Sequence, residues 1–451
     1  MGVEVGENDV FAILYKICNN WPMMKHYGKI AMQIQSEVQF FTLKPLIFKL
    51  MEKNYSVDII VDDFSTDGLG YNEIAKSAKK MLKKSGLDYM DFKEAHDNHY
   101  DVCLMPYMDK RIKADYYLKY EYGTLNIKPS LTYLPSLLDG FHGFLCQSTV
   151  TLELLKVYGA TFPVDNLRFY KKISTTKSGD SEKKRLLFAP TYNDQDEIEE
   201  LKRIIKILKT KYYVVIKGHH GTSFLKGNTK KREVFEEMAD EYYDSTKSLS
   251  DLIVEADVCL FDNSSAIGEA LYAKVPCAIY AKDLDYFGLG DIHTTQYQLV
   301  KRKIIPWTNK GDDLIKIVEN AMSYEFRLKQ SKASDELFPR SFKTGVDGYI
   351  DAIEFFLNNS LAKDYALLHD YVVNERNNSD DYCKEKSRND FLEHENKILK
   401  EKNVELQHER TIMNEKINKM ESIIEDNNKK KLYKLADKLY RLEGRLLNVK
   451  G

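Results

Sequence analysis

"DVCLFDNSSAIGEALYAKVPCAIYAKD", residues 257–283, contains a short apolar run, a polar knot, a helical run and a second apolar run. Val258–Phe261 has no polar interruption, the pattern of a strand covered on both faces. Asn263, Ser264 and Ser265 follow, then the alanine-rich stretch "AIGEALYAK", closed by Pro276 ahead of "CAIY". Strand, helix and strand in such quick succession make a βαβ unit, and two neighbouring strands of a parallel sheet.

The same rhythm extends upstream. "RLLFAPTY" reads as a strand ending in a polar loop, "EIEELKRIIKILKT" as a helix with apolar residues at 3–4 spacing, and "YYVVIKGHH" as a further strand. "SLSDLIVEA" reads as a helix with a serine start. Before residue 171 the pattern recurs in "KIAMQIQS", "SVDIIVDD", "YDVCLMPY" and "GFLCQS", with "LKPLIFKLMEKN" read as a helix opening near Pro45. The polar stretch "KKISTTKSGDSEKK", residues 171–184, separates the two series. The expected architecture is α/β: two Rossmann-like lobes facing a cleft, residues 1–170 and 185–360, joined by a linker at 171–184.

Bulk properties agree with a chain of this kind. At 451 residues it exceeds one ordinary core, and 67 basic against 69 acidic residues speak against a nucleic-acid partner. Cys18, Cys103, Cys146, Cys259, Cys277 and Cys383 show no metal spacing and read as reduced, buried thiols. "MGVEVGENDV" is acidic where a secretory leader is basic, and no apolar run approaches the roughly 20 residues that span a bilayer. A cytoplasmic location is expected.

In open parallel sheets ligands lie beyond the carboxyl ends of the strands. In the second lobe those ends carry Thr191, then Lys217, His219 and His220, then Asn263, Ser264 and Ser265, with Glu269 one turn into a helix. Free N–H groups and hydroxyls at a strand-to-helix junction suit a phosphate. Glu269 is placed to reach a ribose hydroxyl. The simpler alternative is that Ser264 caps the helix and Glu269 completes a capping box. No metal or other cofactor is expected, because no cluster of ligands has matching spacing.

"RLLFAPTYND", "VVIKGHHG" and the run from "SLSDLIVEADVCLFDNSSAIGEAL" to "DLDYF" together resemble the CDP-glycerol glycerophosphotransferase family, enzymes of teichoic-acid and capsule-type polymer synthesis. The resemblance covers about residues 115–325 and implies a GT-B architecture. It also implies a nucleotide-activated donor in the second lobe and a polysaccharide or lipid-linked acceptor in the first. The family's His-Gly-Thr motif, whose histidine is a proposed base, corresponds to Tyr122-Gly123-Thr124 here. Glu121 and His142 are therefore the candidate bases, with His219 and Lys217 near the departing phosphate. Alternatives are a nucleotide-sugar glycosyltransferase or UDP-sugar 2-epimerase of the same fold, or a non-catalytic scaffold.

From residue 376 glycine and proline nearly vanish. Leu392, Leu399, Leu406, Met413 and Met420 recur every seven residues, which predicts an α-helical coiled coil over 376–451 and a homo-oligomer. Its end carries Lys429, Lys430, Lys431, Lys434, Lys438, Arg441, Arg445 and Lys450 against Asp437 and Glu443, a face suited to an anionic membrane surface on the cytoplasmic side.

Overall fold

A computed structural model of the protein describes residues 28–61, 71–108, 111–123, 138–170, 183–191, 198–219, 229–244, 246–262, 264–284, 295–358 and 360–377. Two compact units divide the chain, Met1–His369 and Asp370–Gly451, and both sheets belong to the first. The coiled coil and basic end expected over 376–451 lie outside the described residues apart from 376–377, as does most of the 171–184 linker.

The first sheet has six parallel strands: β1 (Lys29–Ile34), β2 (Ser56–Val61), β3 (His99–Met105), β4 (Lys113–Tyr120), β5 (Gly143–Cys146) and β6 (Ala160–Pro163), ordered β2-β1-β3-β4-β5-β6. The second is also parallel: β7 (Arg185–Ala189), β8 (Tyr213–Lys217), β9 (Glu241–Tyr243), β10 (Val258–Phe261), β11 (Cys277–Tyr280) and β12 (Trp307–Thr308), ordered β12-β11-β10-β7-β8-β9. Strand order reverses between β1 and β3 in one sheet and between β7 and β10 in the other. Those two crevices are the switch points at which such sheets receive ligands.

All four residues of β10 and all four of β11 are buried, as uninterrupted apolar runs require when both faces are covered. The helix after β1 runs from Glu37 to Glu52, beginning well before the expected start, with Pro45 inside it. Phe40, Leu43, Leu46, Ile47 and Leu50 form its buried stripe, and the Ser36 hydroxyl accepts the Gln39 N–H at 3.5 Å as its N-cap. Packing of that stripe outweighs the one backbone bond the proline removes.

The chain returns to the first lobe before residue 360. Val346, Tyr349, Ile350, Ile353 and Phe356, from the segment containing the helix Asp347–Asn358, join Ile30, Leu43 and Leu104 in the first lobe's core. The second lobe's own packing ends with the helix Tyr324–Leu337 and Phe338. Cys103, Cys146, Cys259 and Cys277 are buried free thiols. Among the described residues no helix is long and apolar enough to cross a membrane.

Candidate active site

The two switch points open onto one cleft. From the first lobe it is lined by Val38, Phe41, Tyr122 and Gly123, and from the second by Lys217, Gly218, His219, Ser264, Ser265 and Glu269, with Arg168 from the segment between the lobes. The space is about 780 Å³, part of it open solvent. The lobes come close here: a methyl group added at Gly123 would sit 3.4 Å from the Ser265 hydroxyl.

Lys217 ends β8 and is 8 % exposed. Its ammonium donates to the Gly218 carbonyl at 2.8 Å, its one hydrogen bond among the described residues. Two of its three N–H donors therefore remain for a ligand. Burial pushes its pKa down to about 8, opposed by the charges of Asp244, Glu37 and Glu269.

The serines are not a plain cap. The helix after β10 spans Ile267–Tyr272, and its N-cap position is Ala266, with no side-chain capping bond. The Ser264 hydroxyl instead accepts the Ala266 N–H at 3.2 Å, and its carbonyl accepts the Gln296 side-chain amide at 3.0 Å. Six residues sum few peptide dipoles, so hydroxyls and loop N–H groups, more than a helix dipole, make this end of the cleft attractive to an anion.

Glu269 has a different partner from the expected one. Its Oε1 lies 2.7 Å from Arg168 Nη1, and the two residues are 3 % and 5 % exposed. Arg168 sits in the short 3-10 turn Leu167–Phe169, where the Asn166 side chain accepts its N–H and Ser250 Oγ donates to its carbonyl at 2.9 Å. Asp165 ties the same turn down through the Gly345 N–H and the Tyr272 hydroxyl. A glutamate so committed is a wall of the cleft, and the ribose role expected for it competes with this ion pair.

Thr191 is likewise engaged. Asp262 Oδ2 accepts both its N–H and its hydroxyl at 2.6 Å, so that β7 and β10 are laced together at their switch point. Asn263 and His220 lie outside the described residues.

Neither candidate base reaches the cleft. His142 precedes β5 and so sits at the amino end of the sheet, away from the crevice. Its Nδ1 accepts the Tyr117 N–H at 3.1 Å, and its ring packs on Tyr116, Tyr117 and His369. Glu121 follows β4, at the correct end, but is buried, with Oε2 accepting the Gln147 N–H at 3.2 Å. Its charge also supports buried Lys119, whose pKa burial pushes down to about 8. Replacing His142 by alanine is expected to cost about 1 kcal/mol or more of stability through lost packing and the unpaired Tyr117 N–H. Ligand affinity in the cleft should stay the same, and a selective loss of affinity by calorimetry would return His142 to the site.

Tyr122 occupies the first-lobe side of the cleft. Its hydroxyl bonds the Tyr107 hydroxyl, and the rings meet edge to face at 6.1 Å between centroids. Sequence reasoning did not single out Arg168 and Lys247, which line the cleft, or Asp262, which holds Thr191.

Two facing Rossmann-like sheets with a basic, hydroxyl-lined cleft at paired switch points define a GT-B-like α/β protein. Residues 165–334 match the model of the CDP-Glycerol:Poly(glycerophosphate) glycerophosphotransferase family. The match spans the second lobe and Arg168 and leaves most of the first lobe uncovered. Among solved structures, a candidate UDP-N-acetylglucosamine 2-epimerase from Listeria monocytogenes has 11% identity and a TM-score of 0.51, covering 73% of this chain and 96% of that one. The wall teichoic acid polymerase TagF, in a crystal soaked with CDPG, has 15% identity and a TM-score of 0.48, covering 80% of this chain and 93% of that one. The first of these likenesses speaks for the fold alone. Comparison with curated proteins gives no match.

Proposed function

We propose that the protein transfers a polyol phosphate, glycerol phosphate in the simplest case, from a CDP-activated donor to a hydroxyl of a growing surface polysaccharide or teichoic-acid-like polymer. The observation that carries this is Lys217: a buried ammonium with two uncommitted donors, beside Ser264 and Ser265, in the segment that matches the family.

In the reaction the acceptor oxygen bonds to the donor's polyol-bearing phosphorus while the bridging P–O bond breaks. The nucleoside monophosphate leaves with the bridging electron pair, and the acceptor proton passes to a base or solvent. Charge grows on the departing phosphate, so fixed donors aimed at it supply the main stabilisation. Lys217, Ser264 and Ser265 fill that role, with His219 on the same wall as a proton donor to the leaving oxygen. Tyr122 and Gly123 border the place where the acceptor hydroxyl arrives. The heptad-patterned tail, read from sequence, fits an enzyme held as an oligomer on a membrane that carries its lipid-linked acceptor.

Titration with CDP-glycerol, CDP-ribitol, CMP-sugars and UDP-N-acetylglucosamine tests the reading. Tight binding confined to CDP-polyols is expected. Selective binding of the UDP-sugar would replace it with the epimerase or glycosyltransferase reading, and silence toward all four would favour a scaffold. Ser264→Ala with Ser265→Ala should weaken donor binding by roughly 1.5–3 kcal/mol for each lost hydrogen bond to phosphate. Unchanged affinity in the double variant would reduce the serines to loop structure.

A further inference from the structure

We infer that Gln296 is a positioning residue for the phosphate end of the cleft: its side-chain amide holds the Ser264–Ser265 peptide so that the Ser265 backbone N–H faces an arriving phosphate. The consequence for the donor rests on the reading above, though the hold on the peptide does not.

Gln296 enters from the helix Thr295–Lys301, whose Leu299 packs in the same core as Ala266 and Ile267. It is 2 % exposed, and its side-chain nitrogen donates to the Ser264 carbonyl at 3.0 Å. A carbonyl only accepts, so the NH2 end of the amide is the end that faces it. The other end, Oε1, is buried with no hydrogen-bond partner among the described residues. A buried acceptor left in that state costs stability, and a side chain kept for packing alone would be apolar. What the amide gains at this position is its bond to Ser264.

Peptide planarity carries that bond across to the cleft. In a trans peptide the C=O and the following N–H point in opposite directions, and the described residues include no cis bond. With the Ser264 carbonyl turned inward to Gln296, the Ser265 N–H is turned away from it. Ser264 and Ser265 line the cleft with Lys217 and His219, whereas Gln296 does not. The next two N–H groups are already engaged: Ala266 donates to the Ser264 hydroxyl at 3.2 Å, and Ile267 to the Ser264 carbonyl at 3.4 Å. The Ser265 N–H makes no hydrogen bond among the described residues. It is the backbone donor that this loop holds ready, and it survives replacement of either serine by alanine.

Methionine at this position, unbranched and of similar volume, removes the hold and the unpaired Oε1 together. Gln296→Met should fold as the parent does and bind CDP-glycerol about tenfold more weakly, since one hydrogen bond to a charged group is worth roughly ten- to a hundredfold in affinity and here it is misaimed, not deleted. The same loss should appear when Gln296→Met is added to Ser264→Ala with Ser265→Ala, because the N–H is still present there. Unchanged affinity in both backgrounds would overturn the inference.

A spectroscopic readout separates this role from a merely structural one. Ser-Ser occurs once in the chain, at 264–265, so serine labelled with ¹³C at its carbonyl and with ¹⁵N gives a single carbonyl-to-amide correlation by NMR, that of this peptide. Without ligand, Gln296→Met should move the Ser264 carbonyl upfield as its hydrogen bond is lost. CDP-glycerol should move the Ser265 amide proton downfield in the parent and much less in the variant. Should Gln296→Met fail to fold, Gln296→Asn, with its amide withdrawn by one methylene, should move the carbonyl the same way by less. A carbonyl unmoved in the variants, or CDP-glycerol bound by calorimetry with the Ser265 amide unmoved, overturns the inference and leaves the donor reading standing. If CDP-glycerol does not bind, inorganic pyrophosphate takes its place. An amide that responds to pyrophosphate then keeps the inference and removes the CDP-polyol donor, and one that responds to neither overturns the inference as well.

Discussion

Methionine in place of Lys217 is expected to cut affinity for a CDP-polyol donor by about 10²-fold or more while leaving the protein folded. Each hydrogen bond between an ammonium and a phosphate is worth roughly 1.5–3 kcal/mol, and two N–H donors are available in the cleft. The charge itself is effective because Lys217 is buried, where water screens it little. Removing it should not unfold the lobe, since an unbranched apolar side chain of similar length avoids the desolvation that a buried cation suffers. The pH dependence follows from the same burial. With a pKa of about 8, Lys217 is charged below that pH and neutral above it. Donor binding by the parent protein should hold from pH 6 to 7 and fall as pH rises through 8, and binding above pH 8 should take up a proton. Calorimetry in two buffers of different ionisation heat measures that proton directly. Full affinity in Lys217→Met, or a flat profile from pH 7 to 9.5, would remove Lys217 from the donor site.

Much of the fold was legible because a doubly wound sheet writes a simple pattern. β7, β8, β10 and β11 are short apolar runs without alternation, each ending in polar residues, and the observed strands fall on those runs. The start of the helix Glu37–Glu52 was hidden by Pro45, which reads locally as an opening and is in fact carried by the buried stripe on both sides of it. The return of residues 346–365 to the first lobe was not legible at all. "GYIDAIEFF" is amphipathic, and amphipathicity states that a face is buried without naming the surface that buries it.

The site divides in the same way. Lys217, His219, Ser264, Ser265 and Glu269 come together on one cleft because they follow strands of a single parallel sheet, which topology brings to one edge. Glu121 passes that rule and still turns inward, since a backbone N–H at Gln147 lies within its reach. His142 fails the rule, standing before its strand and not after it. Arg168 could not be foreseen: "DNLRF" has no periodicity, and its meaning comes from Glu269, 101 positions away, counting from 168 to 269.

That pair supports the largest expected loss of stability. Arg168 and Glu269 are 5 % and 3 % exposed with 2.7 Å between charged atoms. Glu269→Gln leaves the guanidinium buried without its counter-charge, and breaking a buried pair from one side typically costs about 3–5 kcal/mol. Arg168→Met should cost a similar amount by stranding the carboxylate. In the double variant Arg168→Met with Glu269→Leu neither member of this pair is left facing the other's absence, so much of the lost stability should come back if the volume is filled. Denaturant unfolding of the four proteins gives the coupling directly. The ribose role makes the opposite forecast: Glu269→Gln would then keep its stability and lose donor affinity, because the carboxylate would be spent on the ligand and not on Arg168. A near-parent unfolding midpoint together with weakened CDP-glycerol binding would therefore reverse the assignment of Glu269 from a wall of the cleft to a ligand of the donor.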